Sequence, residues 1–201
     1  MMRTLLYSEK EDEMEPETWI ETITGKRIDP IHIQAEDICI EDIAKPLSQL
    51  CRFTGQCSRF YSVGQHSVHV ADMVEGDMSR EITDIERINH TCLAALLHDA
   101  AEAYTNDIVR PIKYSLRGLK EIDDYITGRI MLKFGCIGVE WDLIKKADNV
   151  MMATEAYSLM PSKGKGWYLP NDRVHYDLPE LSFREVEDLF MSRFLKFGGI
   201  E

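Results

Sequence analysis

The sequence is poor in the features that mark specialised protein classes. Its five cysteines (Cys39, Cys51, Cys57, Cys92 and Cys136) are scattered, odd in number and form no C-x-x-C pair, so neither a zinc ribbon nor a closed disulfide framework is expected. The expected setting is a reducing cytoplasm. Long apolar runs are also missing: the longest is Cys92 to Leu97, and the first fifteen residues offer only Leu5-Leu6-Tyr7, so neither a signal peptide nor a membrane span is expected. There is no excess of positive charge. The 23 Lys and Arg face 35 Asp and Glu, a net charge of −12, which disfavours a membrane surface or stable nucleic-acid binding, because attraction to a polyanion comes from Lys and Arg neutralising it. A small anionic substrate remains compatible, since a bound cation can reverse the field inside one cleft. No repeat, low-complexity tract or linker divides the 201 residues, a length at which one core folds without staples.

What is present is mostly helical periodicity. Residues 1–16 read as an acidic arm and 17–201 as a single domain. The β-branched residues between Thr18 and Ile33, around Thr24-Gly25-Lys26, predict a short hairpin. Helices are predicted over 41–50, 62–75, 84–104, 117–134, 141–160 and 181–197. Pro46 is expected near the first turn of its helix, Ser62-Val63-Gly64-Gln65 reads as a capping box, and Gly76 as a stop. Gly164, Gly166 and Pro170 mark a loop whose Trp167 and Tyr168 suit either a lid or a packed surface segment. The class is mainly α.

The informative positions are ionisable residues on apolar helix faces, where a charge is costly unless paired or bound to metal. His66 shares a stripe with Val63, Val70 and Met73. His98 and Asp99 follow six apolar residues, and Asp148 sits among Ile144, Ala147, Met151 and Met152. Taken singly, each has a bland explanation: an isolated buried histidine usually just finds a hydrogen-bond partner, and Asp148 has Lys145 and Lys146 nearby. His69, His32, His90 and His175 keep that lower status. Together, two imidazoles and two carboxylates make a mixed N/O ligand field suited to Mn, Fe, Co, Ni or Zn. Read as one continuous helix, 84–104 places Glu102 between His98 and Asp99 in angle.

This H…HD…D arrangement resembles the signature of the HD-domain metal-dependent phosphohydrolases. The likeness extends through Leu50-Cys51-Arg52-Phe53-Thr54-Gly55, Phe60-Tyr61-Ser62-Val63-Gly64-Gln65-His66-Ser67, Leu96-Leu97-His98-Asp99-Ala100-Ala101-Glu102-Ala103-Tyr104 and Asn106-Asp107-Ile108-Val109-Arg110-Pro111-Ile112-Lys113, within about residues 37–160. It is similar to phage dATP triphosphohydrolases of the DatZ type and bacterial 5'-deoxyribonucleotidases of the YfbR type. The resemblance implies an HD-type helical bundle with His66, His98, Asp99 and Asp148 holding a divalent transition metal, with Mg as a possible additional ion. Glu102 and Asp107 would be catalytic carboxyl groups. Arg52 and Lys113 would bind phosphate, and Phe53 would lie near the base or sugar. The implied substrate is a small-molecule deoxynucleotide, with dATP first and release of triphosphate. Phosphate release from dNMPs is the alternative, a non-catalytic nucleotide-sensing module the reading from another class, and a homo-oligomer the expected state.

Overall fold

A computed structural model of the chain describes residues 18–169 and 171–200, so the acidic arm expected at 1–16 lies outside the described residues. The expected hairpin is there. β1 (Ile20–Glu21) pairs antiparallel with β2 (Arg27–Ile28), Ile20 facing Ile28 and Glu21 facing Arg27. Gly25 occupies the left-handed turn position at φ 79°, which a residue without Cβ takes at no steric cost. The turn is fastened to the first turn of α1 (Glu41–Gln49), because Asp42 accepts the Thr24 amide at 3.0 Å and its hydroxyl at 2.8 Å.

The remaining α-helices among the described residues are α2 (Val63–Glu81), α3 (Ile85–Leu96), α4 (Glu102–Thr105), α5 (Arg110–Lys113), α6 (Leu119–Lys133), α7 (Trp141–Leu159) and α8 (Phe183–Lys196). The chain is mainly α, as expected. None of these helices is long and apolar enough to cross a membrane.

α2 is the centre of the assembly and packs against α1, α3, α7 and α8. Its approach to α1 depends on Gly64: a Cβ there would meet the Leu47 carbonyl group and Ser48 nitrogen at 3.1 Å. α8 turns Val186, Phe190 and Phe194 into the core. Its Arg193 is a two-pronged partner of Asp72, at 2.6 and 3.0 Å, and Lys196 pairs with Glu75 at 2.7 Å. The inner face of the C-terminal helix is thus spent on its own chain.

Several expectations need correction. α2 runs past Gly76 to Glu81, because a helix can carry an exposed glycine at a modest propensity cost of about 1 kcal/mol. The capping box is half formed: Ser62 Oγ accepts the Gln65 amide at 3.1 Å, but the Gln65 side chain donates to the Pro179 carbonyl at 2.8 Å. The reciprocal box is at α8, between Ser182 and Glu185. Pro46 lies beyond the first turn, as the sixth residue of α1. Most consequential, 84–104 is not one helix. α3 ends at Leu96 and α4 begins at Glu102. His98 Nδ1 donates to the Ala95 carbonyl at 2.7 Å, an acceptor that a continued helix would give to the Asp99 amide.

Candidate metal centre and adjoining cavity

The centre draws on α2 for His66, on the α3–α4 turn for His98 and Asp99, and on α7 for Asp148. One ligand atom from each of His66, His98 and Asp148 lies within 4.8 Å of the others. His66 Nε2 is 3.4 Å from Asp148 Oδ1 and 3.7 Å from Asp99 Oδ2, which in turn is 3.3 Å from His98 Nε2. The four expected ligands are therefore brought together, with Asp99 also 3.5 Å from Arg52 Nη1. The break in the helix makes this possible, since adjacent residues on a regular helix diverge.

Each imidazole is fixed from behind. His66 Nδ1 is 2.6 Å from Glu155 Oε1, and His98 Nδ1 is bonded to the Ala95 carbonyl. With Nδ1 as donor in both rings, each Nε2 carries a lone pair toward the shared space, and neither buried Nε2 has a hydrogen-bond partner. Two unpartnered imidazole nitrogens facing two carboxylates fit a divalent transition ion.

Glu155 was not anticipated from the sequence. Wholly buried, it accepts from His66 Nδ1, from the Tyr61 hydroxyl at 2.8 Å and from Arg52 Nε at 3.1 Å. Burial pushes its pKa up, but Arg52 and His66 outweigh that and keep it ionised. The available signal was its spacing: Glu155 follows Asp148 by two helical turns on the buried face of α7.

The carboxylates around the two imidazoles are held ionised. Burial pushes Asp99 and Asp148 up, yet the neighbouring imidazoles hold both well below the usual carboxylate range, with Arg52 assisting at Asp99 and Lys145 at Asp148. Burial and the Arg52 charge lower His66, but Glu155 and Asp148 raise it to about 9. These surroundings call for positive charge at the Nε2 edge of His66, and a proton and a metal cation compete for that one lone pair.

Glu102 stands beside them in a different state. The α3–α4 turn is closed by bonds such as Ala100 N–H to Leu97 O and Glu102 N–H to Asp99 O, both 3.0 Å. At three residues per turn, positions i and i+3 align, so Asp99 and Glu102 share a side. Burial, then the Asp99 and Asp107 charges, push Glu102 up to about 10, and its Oε2 is buried without a partner. Asp107 is raised by burial as well.

These groups open into a cavity of about 1070 Å³ that also reaches Arg52, Phe53 and Lys113. The expected phosphate cations are more committed than anticipated. Arg52 is buried against Glu155 and Asp99, and Lys113 is paired with Asp123, which also accepts from Thr105 at 2.9 Å. The other lining cations include Lys120 and Lys145, paired with Asp124 and Asp148, and Arg110 and Arg117, which have no acidic partner among the described residues. His69 lies outside the ligand cluster, between Tyr61 and Tyr176, in the packing role expected of it. His32 pairs with Asp29 at the surface.

No protein-family model matches the chain. It is 37% identical over 181 residues to the uncharacterized protein YfdR of Escherichia coli strain K12, covering 88% of this chain and 94% of that protein. The chain belongs to the family of YfdR. A second relative, the uncharacterized protein RCAP_rcc00048 of Rhodobacter capsulatus, is 38% identical over 146 residues, covering 69% of this chain and 71% of its own length. The 88% shared with YfdR reaches well beyond the 37–160 stretch that carries the site motifs.

Proposed function

We propose that the chain is a metal-dependent phosphohydrolase acting on deoxynucleotides, with a dNTP, dATP first, as substrate and triphosphate as product. The observation that carries this is the pair of buried, unpartnered Nε2 atoms of His66 and His98, converging with Asp148 and Asp99 at the wall of a large cavity. It agrees with the resemblance of these residues to the HD-domain phosphohydrolases.

A divalent ion held by this donor set would lower the pKa of water and shield phosphate charge, so that attack on phosphorus proceeds near neutral pH. The chain's own groups supply the rest. Glu155 holds His66 in the tautomer whose Nε2 faces the site. Arg52, held by Glu155 through Nε, keeps its Nη atoms for charge at the Asp99 side and for phosphoryl oxygens. Glu102, neutral because of burial and its acidic neighbours, is suited to protonate the leaving oxygen, and Asp107 is the second carboxyl group in reach of the same cavity. A binding module has no use for a proton donor poised beside a metal site, which favours an enzyme over a sensor. Arg110 and Arg117, without an acidic partner among the described residues, favour a triphosphate over a monophosphate, because a longer polyanion needs cations beyond those already neutralised.

The test is a screen of dNTPs and dNMPs against Mn, Co, Ni, Fe, Zn and Mg, with products resolved by chromatography. Deoxynucleoside plus triphosphate is the expected outcome. Orthophosphate from dNMPs alone would make the protein a 5'-nucleotidase, and no product under any ion would remove the hydrolase reading.

A further inference from the structure

The connection between α7 and α8 contributes Met160, Trp167 and Leu169 to the cavity wall, next to Phe53 and Met152. This stretch lies outside the residues that hold the candidate metal. Phe53 and Trp167 meet with ring centroids 5.8 Å apart and planes at 60°. In such an edge contact one ring spends only its edge, keeping its own faces clear of the other. Trp167 is 37% exposed, much for a large aromatic, and the apolar surface around it faces the cavity instead of the core.

Both rings are held there by unusual backbone. Phe53 and the following Thr54 are left-handed, with φ of 54° and 51°, a conformation that costs of order 1–3 kcal/mol at each non-glycine residue and persists only where its surroundings enforce it. Left-handed residues recur on the opposite side at Lys163, Gly164, Gly166 and Tyr168. Gly164 is also tightly seated: a Cβ there would lie 3.3 Å from Ala156 Cβ and from Leu169 Cδ1. The connection is tied down at its start by the Ser58 amide on the Leu159 carbonyl at 2.9 Å, midway by the Val174 amide on Thr154 Oγ1 at 3.1 Å, and nearer α8 by Gln65 Nε2 on the Pro179 carbonyl at 2.8 Å.

The path from metal centre to aromatic wall is short. Arg52 Nη1 is 3.5 Å from Asp99, and its Cζ is 5.5 Å from the Phe53 ring centroid. A phosphate at the centre therefore leaves a flat ring, one sugar away, in reach of both aromatics. Resting on the deoxynucleotide reading above, we infer that Trp167 and Phe53 form an aromatic clamp for the nucleobase. The α7–α8 connection is then the specificity element of the cavity.

The test uses two probes that the proposed reaction does not consume, deoxyadenosine and inorganic tripolyphosphate, titrated calorimetrically into the full chain. Trp167→Ala should weaken deoxyadenosine by about tenfold or more, within the range of base–aromatic stacking, and leave tripolyphosphate within about twofold. Trp167→Phe should recover most of the loss, which a collapsed loop would not allow. The clamp is overturned if the unsubstituted chain binds no deoxyadenosine, if Trp167→Ala leaves its binding unchanged, or if both probes weaken alike. Turnover of dATP is followed in parallel: turnover without a Trp167 effect sinks the clamp and spares the hydrolase, while a Trp167 effect without turnover does the reverse.

Discussion

The back of the metal centre and the rim of the cavity are built on opposite principles. Behind His66, three donors meet one carboxylate: Glu155 joins His66, Tyr61 and Arg52 in a network sealed from solvent. At the rim, Arg110 and Arg117 are exposed with no acidic partner among the described residues, and Tyr114 is 85% exposed between them. A satisfied buried network fixes geometry and tolerates no loss, whereas exposed cations attract an anion over a range of positions and act by increments. On the proposed function, the first region would position the metal and the second would sense the length of the phosphate tail.

The largest break is at the ligands. His98→Ala should remove bound transition metal and abolish hydrolysis, a loss of more than about a thousandfold, because three remaining donors cannot hold the ion and its water in place. Elemental analysis and activity on the same preparation check this. Unchanged metal content would move the centre elsewhere.

That the four candidate ligands, which the structure brings together, could be picked out at all reflects what a sequence carries well. His66 and Asp148 sit on regular helices whose apolar stripes make a buried charge conspicuous, and the helices over 119–133, 141–159 and 183–196 follow directly from their periodicity. The turn at 97–101 was illegible for the converse reason: the run from Cys92 to Leu97 and the alanines beyond it favour helix, and only the tertiary demand that His98 and Asp99 face one point interrupts it. Glu155 was missed because its partners, Arg52, Tyr61 and His66, are about ninety to a hundred residues away in sequence. The commitment of Lys113 to Asp123, close in sequence, was hidden for a different reason, since α5 is a short helix with no apolar period.

The second prediction sets His66 against His69, one turn further along α2. Both are buried, but only His66 is in direct contact with carboxylates; at His69 burial outweighs the more distant charges of Glu155, Asp72 and Asp177 and lowers it to about 4. The unfolded chain takes up a proton at His69 below about pH 6.5 and the folded chain refuses it, so the neutral ring stabilises fully above that pH. Its contribution falls as pH drops toward 4 and levels off below. The stability difference between the parent and His69→Gln should therefore shrink by up to about 3 kcal/mol from pH 7 to pH 4, measured by urea unfolding. A difference independent of pH would mean that His69 is not held neutral.

A smaller effect is expected one layer behind the ligands. Glu155→Gln keeps the size of the side chain but loses the charge that orients His66 and balances Arg52. Metal affinity should fall by about 10- to 100-fold, the usual range for losing a carboxylate behind a ligating imidazole, with the ion still bound at high concentration. A competition titration against a chelator measures it. If affinity is unchanged while thermal stability drops, the network serves the fold alone.

The smallest effect belongs to the rim. An exposed cation facing one phosphoryl group contributes about 0.5–1 kcal/mol, so Arg110→Gln and Arg117→Gln should each cost about two- to fivefold in kcat/KM for dATP, and about tenfold together. Being well separated from the buried network, the two changes should leave metal content untouched. The loss should shrink as salt rises, because screening acts on exposed charges and spares the buried Arg52. dAMP, which has no tail to reach them, should be affected less than dATP. Equal losses on both substrates would assign the two arginines to the phosphate nearest the metal, and no loss on either would leave the phosphate to cations that already have acidic partners, Arg52 and Lys113 first.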